Sequence, residues 1–180
     1  MLDVLYELAK EKEYACFYSN PQLDKFKFGF VLAVNENEIA IHEISPDGED
    51  DGIIVMPTER IYRVERNSQY LEKMKKLCSG TVIADWLTPI DESNILFSVL
   101  LNPVLRERIV SIELHDSGYY ETSGFVEEVK NDNCLVIRQV DDYGFEDGIT
   151  YLKLEDVTEL VISSDLQKRI QKLWKINHEG

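Results

Sequence analysis

Apolar and polar positions alternate along this chain in two successive blocks of the same design. In the first block Leu2, Leu5, Leu8 and Ala9 share one helical face, with Asp3 and Glu7 near the start and Lys10 and Lys12 near the end. That polarity suits the helix dipole and predicts a short helix over 2–13. Tyr14 to Ser19 then reads as a strand, and SNPQLD as a turn. Phe26 to Val34 and Ile39 to Ile44 flank the polar turn Asn35-Glu36-Asn37-Glu38, which predicts a hairpin. The acidic loop SPDGEDDG separates these from Ile53 to Met56, a strand that Pro57 ends or edges, and Ile61 to Val64 forms one more. Ser68 is placed to cap a helix whose apolar face holds Tyr70, Leu71, Met74, Leu77 and Cys78.

The second block repeats this order. GFVLAVNENEIAIHEISPDGEDDGIIVMPTERIYRV (29–64) returns as GFVEEVKNDNCLVIRQVDDYGFEDGITYLKLEDVTEL (124–160), with one extra residue in the first hairpin turn. Ile41 then corresponds to Ile137, Gly48 to Gly144 and Asp51-Gly52 to Asp147-Gly148. The helical face Tyr70, Met74, Leu77, Cys78 becomes Leu166, Ile170, Leu173, Trp174. A helix over Ile95 to Leu101, stopped by Pro103, takes the place of the N-terminal one, and Arg108 to Leu114 that of Tyr14 to Ser19. Residues 81–90, TVIADWLTPI, read either as a linker or as an extra strand at Thr81 to Ala84. The repeat divides the chain into modules 1–80 and 81–180.

Short strands, tight turns and a helix before and after each set predict a mainly β protein. The expected architecture is two tandem five-stranded small barrels, because closing a sheet this small removes its exposed edges.

The paired runs Gly29-Phe30-Val31 through Val34 with Ile39 to Ile44, and Ile54-Val55 with Ile61 to Val64, resemble the Sm-like and SH3-like small barrels. Copy two shows the same shape in Gly124-Phe125-Val126 through Val129, Leu135 to Val140, and Tyr151-Leu152 with Val157 to Leu160. The resemblance implies a helix-preceded barrel and admits an RNA-binding or RNA-regulatory role. RNA-binding Sm-like proteins, however, carry Asp and Asn in the first hairpin loop and Arg-Gly in the second-motif loop. Here the second-motif loops read Pro57-Thr58-Glu59-Arg60 and Lys153-Leu154-Glu155-Asp156, so that RNA site does not carry over.

Charge points the same way. The chain has 180 residues, with 34 Asp and Glu against 19 Lys and Arg, a formal net charge of −15. Such a surface repels phosphate backbones and anionic lipid heads. The short basic groups Lys73, Lys75, Lys76 and Lys168, Arg169, Lys172 read as solvated helix faces. At 44% apolar and 29% charged residues, both modules should fold. Three cysteines, Cys16, Cys78 and Cys134, at wide spacing without a CxxC pair suit a reducing compartment. The N-terminus lacks the basic and long apolar runs of a secretory leader, and Ile95 to Leu101 is too short to span a bilayer. A cytoplasmic protein without a membrane segment is expected.

Candidate chemistry is sparse. Asp47, Glu49 and Asp51 alternate like the first half of a calcium loop, but Thr58 stands at the twelfth position and strands flank the loop. His42, His115 and His178 have no second ligand at metal spacing. No nucleophile, base and stabiliser can be assembled, so neither enzyme activity, nor a cofactor, nor a metal is expected. Tyr119, Tyr120, Tyr143, Phe145 and Trp86 stand in turns or the linker. They either anchor a partner protein or are covered by packing between the modules. The sequence therefore predicts a protein-binding or scaffolding protein, its partner contacts sought at Asp47, Glu49, Asp50, Asp51, Tyr119, Tyr120, Tyr143 and Phe145. Oligomeric state stays open.

Overall fold

The computed structural model describes every residue except 22–24, 82–86, 88, 132 and 180. Half of the SNPQLD turn (22–24), residues 82–84 of the alternative strand over 81–84 and the Trp86 position lie outside the described residues. The chain divides into two compact units, Met1–Ile95 and Leu96–Gly180.

The first unit opens with α1 (Leu2–Glu11), which buries Leu5 and Leu8 and ends where Lys12 turns into the left-handed region. Strands β1 (Ala15–Asn20), β2 (Lys25–Val34), β3 (Glu38–Ile44) and β4 (Asp50–Pro57) follow. A 3-10 turn at Thr58–Arg60 leads into the three-residue β5 (Arg63–Glu65). Helix α2 (Gln69–Leu77) starts at Ser68, whose hydroxyl accepts from the Leu71 amide at 3.3 Å, the predicted cap. All ladders are antiparallel and run β5-β1-β2-β3-β4.

The second unit repeats the order. After α3 (Ile95–Leu100), which begins on the last residue of the first unit, come β6 (Ile109–Leu114), β7 (Thr122–Lys130), β8 (Cys134–Val140), β9 (Glu146–Lys153), β10 (Val157–Ile162) and α4 (Asp165–Glu179). Its strands are ordered β10-β6-β7-β8-β9. Even the bulges recur, between Val31 and Ala33 and between Val126 and Glu128, then between His42 and Ile44 and between Arg138 and Val140.

These are ten antiparallel strands and a mainly β fold, but not two closed barrels. Among the described residues no ladder joins β4 to β5 or β9 to β10, so each unit is an open five-stranded sheet. The helix after each sheet covers one of its faces, whereas the edges that closure was expected to remove are left by the open order. Leu71, Met74 and Cys78 of the α2 segment pack with Cys16, Tyr18, Phe28 and Ile44, and Tyr14 and Tyr70 close the margin. In the second unit Ile170 and Trp174 of α4 pack with Ile109, Phe125 and Val140. Apolar side chains thereby leave water without the sheet having to close on itself.

Three expected core positions fall outside these clusters. Leu77, Leu166 and Leu173 are exposed, because each stands at the rim or the end of its helix's apolar stripe. Gly29 and Gly124 have a fixed reason to recur. A Cβ on Gly29 would lie 1.8 Å from the His42 carbonyl oxygen, and one on Gly124 would lie 2.1 Å from that of Arg138. Only glycine lets the neighbouring strand approach so closely.

No helix among the described residues is long and apolar enough to cross a membrane.

Candidate protein-binding surface

The two β-hairpin loops that carry most of the predicted contact residues share one backbone frame. In the first, the Ser45 amide donates to the Glu49 carbonyl at 2.8 Å and the Gly48 amide to the Ser45 carbonyl at 2.9 Å. In the second, Asp141 and Gly144 make the same bonds, to Phe145 at 2.9 Å and to Asp141 at 3.0 Å. Both central glycines adopt positive φ, +87° at Gly48 and +80° at Gly144. At matching positions the side chains differ in kind: Asp47 and Glu49 in one loop, Tyr143 and Phe145 in the other.

The second loop is fixed from two sides. Asp141 Oδ1 accepts from the Tyr143 amide at 3.0 Å and from the Phe145 amide at 2.8 Å. From α4, Asn177 Nδ2 donates to the carbonyls of Tyr143 and Gly144, both at 3.0 Å. Gly144 sits directly on the helix, where a Cβ would come within 2.5 Å of the Trp174 nitrogen. With its backbone so held, the loop leaves Tyr143 75% and Phe145 54% exposed. Large apolar rings at such exposure on a fixed backbone have little ordering entropy left to lose on contact with a partner.

Tyr119 and Tyr120 occupy the β6–β7 turn. Because β6, β7, β8 and β9 run alternately up and down, this turn and the β8–β9 loop lie at the same end of the sheet. Two strand spacings, about 10 Å, separate them across the sheet. Tyr119 is 65% exposed, whereas the Tyr120 hydroxyl donates to Glu159 Oε1 at 2.6 Å. Tyr120 therefore braces β10 rather than extending the display. The Gly118 amide donates to Glu113 Oε1 at 2.7 Å and fixes the turn itself.

The acidic loop of the first unit disperses its carboxylates. Asp47 and Glu49 are exposed. Asp50 turns inward to His42 Nε2 at 2.6 Å and accepts from the Gly52 amide at 3.0 Å, and Asp51 is half-buried. Among the described residues no group of three or more His, Cys, Asp or Glu side chains is arranged to hold a metal ion.

Sequence reasoning missed a pair of equivalent pillars beneath these loops. His42 is buried against the Phe30 ring, centroids 5.1 Å apart, and meets Asp50. At the corresponding position Arg138 lies over Phe125 at 4.8 Å and bonds Glu127 at 2.6 Å and Glu146 at 2.7 Å. The bond to Glu127, with that to Glu146, raises the guanidinium pKa further above its ordinary value despite partial desolvation. The repeat register, which aligns Phe30 with Phe125 and Asp50 with Glu146, was the signal that could have found them. Also unforeseen are Glu113 and Glu159, buried directly opposite each other on β6 and β10.

Comparison with protein-family models, curated proteins and solved structures found no match for this chain.

Proposed function

We propose that this chain is a non-enzymatic protein-binding module whose contact surface is the aromatic end of the second unit. The observation that carries this reading is the exposure of Tyr143 and Phe145 on a loop whose backbone is held by Asp141 and Asn177. Asp142, Glu146 and Asp147 stand beside the rings and are exposed. Apolar anchors within an acidic rim suit a partner that presents apolar side chains among Lys and Arg. Residues 81–180 carry 9 Lys and Arg against 19 Asp and Glu, so the field around this end favours the same class of partner.

The test is a quantitative affinity capture from native lysate with the wild-type chain and with Tyr143→Ala/Phe145→Ala. Both positions are exposed, so the double variant keeps its fold, checked by its melting curve. Partners enriched by the wild type should fall at least about tenfold with the variant, the loss expected for truncating two interface anchors. Equal recovery by both proteins would refute this surface. Ribonuclease treatment of the lysate separates an RNA-bridged capture from a direct protein contact.

A further inference from the structure

Strand β9 stands at one end of the strand order and pairs with β8 alone among the described residues. The Leu154 amide donates to the Asn133 carbonyl at 2.9 Å, next to the Cys134↔Lys153 pair, and so sets the phase of this ladder. Bonds recur at every second residue of an antiparallel pair. Leu152 and Thr150 therefore turn their backbone groups towards β8, whereas Lys153, Tyr151 and Ile149 turn theirs to the open edge. The register slips by one between Arg138↔Ile149 and Val140↔Glu146, a bulge at Asp147-Gly148 that puts Glu146, Ile149, Tyr151 and Lys153 on one face. Val140 belongs to the cluster under α4, so this is the face that α4 covers farther in, and β9 lies beyond that cover. Ile149 is 57% and Tyr151 63% exposed, whereas their counterparts on β4, Ile53 and Val55, are 2% exposed each.

An uncapped edge with apolar side chains at its middle is a template for another strand, and charge selects which strand. Between residues 141 and 156 six Asp and Glu stand against the single Lys153. Lys153 is already offset by Glu155, at 3.7 Å. Asp142 and Asp147 are exposed, with no side-chain partner among the described residues. A segment rich in acids would meet like charge at this edge, and a basic one would be drawn to it. We propose that β9 accepts an extended, basic and apolar segment of a partner protein as a further antiparallel strand. The backbone of that segment exchanges hydrogen bonds with Ile149, Tyr151 and Lys153. Two of its apolar side chains lie beside Ile149 and Tyr151, and Lys or Arg beyond them meets Asp147 and Glu146. This goes beyond the contact assigned to the aromatic loop, since it names a different surface and the conformation of what binds there. A defined peptide reads it rather than capture from lysate, so the two tests fail separately.

The probe is the capped peptide Lys-Lys-Thr-Val-Thr-Val-Thr-Lys-Lys, which reads the same from either end. Titrated to about 1 mM into the isotope-labelled full chain, it should slow amide exchange at Ile149, Tyr151 and Lys153 by about tenfold or more. Thr150 and Leu152, already bonded to β8, should change little. Replacing the lysines of the peptide by glutamates, or N-methylating its valines, should weaken binding by about tenfold or more. Tyr151→Pro spares the ladder to β8, because the Tyr151 N–H points outward, and should weaken binding as much, its fold checked by a melting curve. Should that variant unfold, the two altered peptides on the wild-type chain decide alone. Unchanged exchange with the lysine peptide overturns the proposal, as does equal binding of the glutamate or the N-methylated peptide. Slow exchange at the same three amides without peptide, deepening with protein concentration, also overturns it, because a second copy would then occupy the edge.

Discussion

At the scale of single residues, the tightest constraint falls on the two glycines that open the repeated segments. Gly124 faces the Arg138 carbonyl oxygen at a distance no Cβ can share, and that atom belongs to backbone that cannot swing aside. Gly124→Ala should cost about 3 kcal/mol or more of stability, seen as a lower urea midpoint with an unchanged slope. Cys16 provides a second measurement. Burial, with a smaller contribution from the Glu65 charge, pushes its thiol up to about 12. Since the folded pKa lies above the ordinary thiol value of 9.0, the thiol's contribution to stability is complete below about pH 9 and is lost as pH rises towards 12. Alkylation at pH 8 should therefore modify the half-buried Cys134 first and reach Cys16 only on unfolding. The glycines were visible in the sequence as part of a repeat, but the contact that requires them was not. It depends on which carbonyl of the next strand lies opposite.

At the scale of elements, hairpins, caps and helices were legible because each is encoded locally. Asn35-Glu36-Asn37-Glu38 forms a turn through the Asn35 side chain, whose Oδ1 accepts from the amides of Asn37 and Glu38, both at 2.7 Å. Ser68 caps α2 as its position implied. The aromatic loop was legible as a turn with rings in it, whereas its fixation by Asn177 joins residues 34 and 33 positions apart and left no local trace. That helix-to-loop contact predicts that Asn177→Ala will speed amide exchange at Gly144 and Phe145 by about thirtyfold, the effect of two hydrogen bonds of about 1 kcal/mol each. Unchanged exchange would mean that Asp141 alone holds the loop. The helical faces show the limit of periodicity: Met74 and Ile170 are buried as the spacing implied, but Leu77 and Leu173 at the stripe's edge are not.

At the scale of the whole molecule, a net charge of −15 makes the folded chain repel itself. Some of that charge is neutralised locally, as where Arg66 meets Glu7, Glu11 and Glu13 at 3.3, 3.7 and 2.5 Å. Much of the remainder stands in solvent, and screening should relieve it. Raising sodium chloride from 10 to 150 mM should raise the melting temperature by about 3 °C, the opposite of what loss of the exposed ion pairs alone would give. A fall would mean that the Arg66 and Arg138 networks outweigh the general repulsion.

The sequence by itself determined the duplication, the number and order of the strands, the turn chemistry and the acidic surface, because these follow from periodicity and composition acting over a few residues. Tertiary structure alone decided that the sheets stay open, that His42 and Arg138 serve as matching pillars, and that β9 rather than its counterpart is left bare. Those outcomes depend on what lies across each strand and over each face. Two segments with the same alternation of apolar and polar positions carry the same instructions for forming strands, whereas burial is set by residues distant in sequence.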